Sequence, residues 1–266
     1  MSAVLETKGL SVRFGGVHAL SEVDLQVQDG QLVGLIGPNG AGKTTFIDAI
    51  TGFVTSTGQA VLEGRDLTGR SPDQRAHLGL TRTWQAAELF DDLTVRENLM
   101  VAARRASWKE TLSDIFKGTS VEDERVESAM ALLELGEYGD VLPTELTQGQ
   151  RKLVGVARAL AARPRVVCLD EPAAGLDTGE SEELGRHLRG VVDAGTAMLL
   201  IDHDMGLVLS ICDHVVVLEF GKVIAQGPPA TVTRDPRVIE AYLGSAGAAD
   251  VADEIKADVD AAQQEA

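Results

Sequence analysis

LVGLIGPNGAGKTTFIDAITG, residues 32–52, decides how the rest of the chain is read. LVGLI is a short apolar run of the kind found in buried strands, and TTFIDAITG reads as a helix closed by Gly52. Between them Gly37 to Thr44 fits G-x-x-x-x-G-K-[ST], in the strand-before, helix-after setting that the motif requires. Glycines let the backbone curl until successive N–H groups point at one anion, and the helix N-terminus adds partial positive charge. Lys43 is placed to reach β- and γ-phosphates, and Thr44 offers a hydroxyl to Mg²⁺. The stretch predicts a nucleoside triphosphate site.

Such a site needs a metal anchor and a group that orients water. RVVCLDEP supplies both, because its apolar residues put Asp170 at the C-terminal end of a strand, where α/β sheets bind ligands. Asp170 is the candidate Mg²⁺ carboxylate, acting through a water, and Glu171 the candidate base or water-orienting group. On its own a strand-end Asp-Glu pair is more often a helix cap or a solvated corner. Beside the phosphate cradle the catalytic reading prevails.

Outward from these motifs, TAMLLID and HVVVLEF repeat the pattern of strands covered on both faces, with helical segments between. That predicts an α/β core with a largely parallel sheet. SVRF and SEVDLQVQ alternate instead, and with the Asp29-Gly30 turn signal they predict an antiparallel hairpin region. From about Val95 to Thr147 the spacing is helical, with Val126, Met130 and Leu133 on one face and no strand run. The expected organisation is a nucleotide-binding core of residues 1–88 and 160–230, a helical subdomain of 89–159, and a C-terminal extension of 231–266. The acidic, alanine-rich end is read as a frayed, solvated tail, although Val251, Ile255 and Val259 would also suit a weak amphipathic helix.

A formal charge of −17 repels nucleic acid and anionic lipid on average, which argues against binding either directly. Cys168 and Cys212 are the only cysteines, too few for a disulfide scaffold, and read as buried thiols in a reducing compartment. MSAVLETKGL reads as lacking a signal peptide, and no apolar run approaches the ~20 residues that span a bilayer.

In order along the chain, these motifs resemble the ATP-binding subunit of an ABC transporter, up to about Gly244. The resemblance implies a P-loop NTPase fold, with a RecA-like core, an antiparallel β subdomain and an inserted α-helical subdomain. GPNGAGKT matches the family's Walker A loop and VVCLDEP its Walker B strand. Gln85 stands where the Q-loop glutamine lies, Asp177 ends a D-loop GLD, and His203 in LLIDHD fits the switch histidine. LTQGQ, an odd composition for a helix start, resembles the signature normally written LSGGQ. Thr147 keeps a hydroxyl, Gly149 is retained, and Gln148, in place of a glycine, is expected to point away from nucleotide.

Carried over residue by residue, the resemblance implies Glu171, His203, Gln85 and Lys43 as catalytic. It assigns Thr44, Gln85 and Asp170 to Mg²⁺. Nucleotide contacts would come from Phe14, as the adenine-stacking ring, from Gly37, Pro38, Asn39, Gly40, Ala41, Gly42, Lys43, Thr44 and Thr45, and from Thr147, Gln148, Gly149, Gln150 and Asp177. One Walker A loop and one signature per chain imply a second ATP-binding subunit, identical or different, whose signature caps this subunit's ATP. With no spanning segment, the membrane domains would be separate permease chains, and the cassette cytoplasmic and peripheral on the inner face of the cell membrane. RTWQAAELFDDLTVRENLMVAARR and the end VIEAYLG resemble the subgroup that energises branched-chain amino-acid uptake. A solute-binding protein would then be an indirect partner. Systems for urea and short amides share these features, a lipid or polysaccharide exporter can share the core, and a soluble ATPase acting on ribosomes or DNA is a third alternative.

Overall fold

The computed structural model describes residues 3–83, 89–103 and 121–243. Its first strands, β1 (Ala3–Phe14) and β2 (Val17–Gln28), pair as an antiparallel hairpin. The hairpin turns at Gly15-Gly16, because Phe14 pairs with Val17; Asp29-Gly30 instead leads β2 into β3 (Leu32–Ile36). After β3 comes α1 (Lys43–Thr51), then β4 (Thr57–Leu62) and β5 (Arg65–Asp66), which complete a four-stranded sheet ordered β2-β1-β4-β5. Next follow α2 (Pro72–Leu78), β6 (Leu80–Arg82), α3 (Val95–Ala103), α4 (Val121–Leu132) and α5 (Gln148–Ala161). The chain returns to the core as β7 (Val166–Asp170), α6 (Thr178–Asp193), β8 (Ala197–Ile201), α7 (Met205–Ile211), β9 (His214–Glu219) and β10 (Lys222–Gly227). The last described helices are α8 (Pro229–Val232) and α9 (Pro236–Leu243).

The second sheet runs β10-β9-β3-β8-β7-β6 and is parallel except where β10 pairs with β9. Every residue of β3, β7 and β8 is buried. Their side chains sort by the two-residue period of a strand. Val33, Leu35, Val166, Cys168, Leu199 and Ile201 join a core shared with α1 and the antiparallel sheet. Leu32, Ile36, Val167, Leu169, Met198 and Leu200 join the other core, shared with the helices. A sheet with both faces covered must be apolar throughout, which explains the unbroken runs.

Helices α3, α4 and α5 pack on one another, and Val126, Met130 and Leu133 are buried among them. The turn that enters α3 is closed by Asn98, which is fully buried. Its amide accepts from Phe90 N–H and donates to the carbonyls of Phe90, Leu93 and Thr94. Thr94 and Glu97 cap the same helix reciprocally. Both cysteines are buried, and burial pushes the Cys168 thiol up to about 12, as befits an unreactive core thiol. Gln85 and the possible tail helix around Val251, Ile255 and Val259 lie outside the described residues.

Candidate nucleotide site

The parallel register gathers the C-terminal ends of β3, β8, β7 and β6 along one edge. Asp170 pairs with Ile201, and Arg82 with Cys168. The loop after β3, the Asp170-Glu171 pair after β7 and His203 just beyond β8 therefore open toward one crevice.

Close packing constrains the glycine-rich loop. Gly37 has φ +148°, and a Cβ there would sit 2.1 Å from the Leu218 carbonyl oxygen, so only glycine lets β3 turn into the loop beside β9. Gly42, at φ +103°, precedes the first turn of α1, whose N–H groups have no partner within the helix. Lys43 folds back over the loop, donating from Nζ to the carbonyls of Gly37 at 2.6 Å and Pro38 at 3.1 Å. Burial lowers its pKa, against the pull of the Glu171 and Asp170 carboxylates. An ammonium lodged over an anion cradle, with two carboxylates within electrostatic reach, is poised for phosphate.

Asp170 is 2% exposed. Burial raises its pKa against the nearby Arg82 guanidinium. Its Oδ2 accepts from Arg82 at 3.2 Å, while Oδ1 is buried with no hydrogen-bond partner among the described residues. An orphan carboxylate oxygen at a phosphate cradle fits a divalent cation or its bound water. Glu171 follows in the left-handed region, at φ 49°, with its N–H donating to the Ile201 carbonyl at 2.7 Å. A non-glycine residue held there costs on the order of 1–3 kcal/mol and persists where the surroundings over-determine it.

Asp202, which the sequence reading did not single out, ties these loops together. Its Oδ2 accepts from Ala173 N–H at 3.0 Å, and its Oδ1 from the N–H groups of His203 at 2.8 Å and Asp204 at 3.0 Å. The turn after Glu171 and the His203 loop are thus fastened to one buried carboxylate. The His203 side chain itself is 64% exposed and faces solvent.

On the antiparallel hairpin, Phe14 is 52% exposed and pairs with Val17, 67% exposed. These two apolar side chains stand bare beside the hairpin turn. Val17 carried no signal beyond its place in an alternating strand. Tyr242 of α9 was also unanticipated: it is buried, burial raises its phenol, and the Gly37 backbone hydrogen-bonds it.

LTQGQ, unexpectedly, opens α5 as a capping box. Thr147 Oγ1 accepts from Gln150 N–H at 3.3 Å, and Gln150 Oε1 accepts from Thr147 N–H at 2.9 Å. Composition that looked odd for a helix start is thus a standard one. The Gln148 amide lies against the Ala174-Gly175 turn, 3.4 Å from the Ala174 carbonyl. Asp177 caps α6 in the same reciprocal way with Glu180. In the single chain Thr147, Gln148 and Asp177 are exposed, and Gly149 and Gln150 are half-buried.

A cleft of about 390 Å³ lies between the core and the helical insert, lined by Phe53, Arg82, Thr83, Ala102, Lys152 and Arg158 among others. Among the described residues no helix is long and apolar enough to cross a membrane, and no cluster of three or more His, Cys, Asp or Glu is placed to hold a metal.

Residues 20–174 match the model of the ABC transporter family, and residues 222–248 that of the branched-chain amino acid ATP-binding cassette transporter. The chain is similar to the high-affinity branched-chain amino acid transport ATP-binding protein BraF of Pseudomonas aeruginosa, 40% identical over 251 residues, covering 91% of this chain and 98% of the relative. With the corresponding LivG of Escherichia coli it is 38% identical, at the same coverage. Among solved structures it resembles the ADP conformation of MJ1267, an ATP-binding cassette of an ABC transporter. That likeness has a TM-score of 0.81 at 32% identity and covers 92% of this chain and 100% of the other.

Proposed function

The chain belongs to the ABC transporter family as one of its ATP-binding subunits, and from that premise we propose that it hydrolyses ATP to drive import of branched-chain amino acids through separate permease subunits. The observation that carries the catalytic reading is the meeting of Lys43, Asp170 and Glu171 at one sheet edge. The match at residues 222–248 and the names of the relatives support the solute.

In this mechanism the adenine lies on Phe14 and Val17, and the triphosphate follows the loop from Gly37 to Thr45. Lys43 exchanges its two loop carbonyls for β- and γ-phosphate oxygens, a charged partner for a neutral one. Thr44, Asp170 and Gln85 would hold Mg²⁺, which neutralises charge on the phosphate oxygens. Glu171 orients a water and accepts its proton as the water oxygen bonds to the γ-phosphorus and the bond to ADP breaks. His203, exposed and held by its backbone to Asp202, reaches the γ-phosphate.

The far face of that phosphate is left open by a single chain. Thr147, Gly149 and Gln150 of a second subunit, together with its Asp177, would close it, in an isologous pair if the two subunits are identical. ATP binding shuts the pair and product release opens it. The cleft beside Arg82, Thr83 and Lys152 is the surface that receives the permease, which makes the protein peripheral at the membrane, with the solute-binding protein one step removed. Affinity capture of the tagged chain from mild-detergent extracts of its own cells is expected to recover two polytopic permease chains. Recovery of ribosomes alone would overturn the assignment.

A further inference from the structure

Arg82 opens the stretch RTWQAAELF but had no role of its own in the sequence, yet its guanidinium joins three elements of the site. It ends β6, three residues before Gln85, with a side chain only 7% exposed. One arm donates to Asp170 Oδ2 on β7 at 3.2 Å, the other to Asp48 Oδ1 on α1 at 2.5 Å. Its Cζ stands 5.6 Å from the centre of the Phe53 ring, just past the end of α1. Phosphate loop helix, metal-carboxylate strand and the strand leading to Gln85 therefore meet on one planar cation.

We infer that Arg82 is a positioning residue that holds one oxygen of Asp170 so that the other faces the cation of the nucleotide complex. This rests on the proposed role of Asp170. A carboxylate fixed at one oxygen by a rigid, planar donor cannot rotate freely, so Oδ1 is kept buried where no donor among the described residues meets it. Charge supports the same conclusion. Arg82 is shared between Asp48 and Asp170, so the three groups together stay anionic and Asp170 keeps its attraction for a divalent ion. Lysine has the charge without the fork. Were Arg82 merely a counter-charge, removing it would strengthen metal binding, because a competing cation would be gone.

The test is the gain in ATP affinity that Mg²⁺ provides, measured with a fluorescent ATP analogue in Mg²⁺ and in EDTA. Arg82→Lys, Arg82→Met and Asp48→Ala are each expected to cut that gain, by about 10–100-fold for the two Arg82 variants, the range for groups that orient a metal ligand. Affinity in EDTA, which also reports folding, is expected to stay within about twofold. Asp48 is 32% exposed, so its variant serves even if the buried Arg82→Met change fails to fold. An unchanged gain in folded Arg82→Lys and Asp48→Ala, or an enlarged gain in Arg82→Met, overturns the inference. Asp170→Asn separates the two levels: if it leaves the gain intact, the metal role of Asp170 itself is wrong.

Discussion

Glu171→Gln is expected to lower ATP turnover by about 10²–10⁴-fold, the usual contribution of a positioned proton acceptor, while leaving ATP affinity within a few-fold of the parent. The amide is isosteric, so the left-handed turn at residue 171 and its hydrogen bond to the Ile201 carbonyl have no reason to change. Lys43 and the loop from Gly37, which carry the binding in the proposed mechanism, are untouched. What disappears is the ability to take a proton from water. Phosphate release and equilibrium nucleotide binding, measured on the same preparation, separate these effects. The variant loaded with ATP and Mg²⁺ should also elute as a dimer, because closure is reached and opening is not. A parallel loss of binding and turnover would instead make Glu171 a structural residue of the turn.

The second large effect is on stability. Gly37→Ala places a Cβ 2.1 Å from the Leu218 carbonyl oxygen, at a φ of +148° that side chains rarely adopt. Backbone strain of about 1–3 kcal/mol and overpacking of a similar size add to roughly 2–6 kcal/mol. That is a large share of a typical 5–15 kcal/mol domain stability. Gly40 provides the contrast: at φ +81° a Cβ would meet nothing within 4 Å, so Gly40→Ala carries only the backbone cost. Urea denaturation should place the midpoint of Gly37→Ala well below that of Gly40→Ala. Equal midpoints would show that the contact with Leu218 relaxes at little cost.

How much of this was legible in the sequence depended on whether a feature is local. The parallel strands stood out because both of their faces are buried, which forces apolar runs such as VVCLD and AMLLI. The phosphate loop stood out because its glycines, lysine and threonine act within eight consecutive positions. LTQGQ carried a local signal that was misread, since Thr147 and Gln150 have the spacing of a capping box. Asp29-Gly30 was a true turn signal at the wrong joint, because a short Gly-Gly turn after Phe14 had already closed the hairpin.

The roles of Arg82, Asp202 and Tyr242 were not legible for a different reason. Each acts through a partner far away in the chain, Arg82 on Asp170, Asp202 on Ala173, Tyr242 on Gly37. Nothing in their own neighbourhoods marks those pairings. The sheet order that brings β6 beside β7 and β7 beside β8 creates the first two, and the packing of α9 on β10 accompanies the third.

ATP hydrolysis by the chain assembled with the proposed permease partners in proteoliposomes tests the central claim most directly, with and without a branched-chain amino acid presented on the proposed solute-binding protein. The account predicts that leucine, isoleucine or valine raises turnover several-fold and that Glu171→Gln abolishes the stimulated rate. A complex that hydrolyses ATP at the same rate with and without these amino acids, yet responds to urea or a short amide, would contradict it.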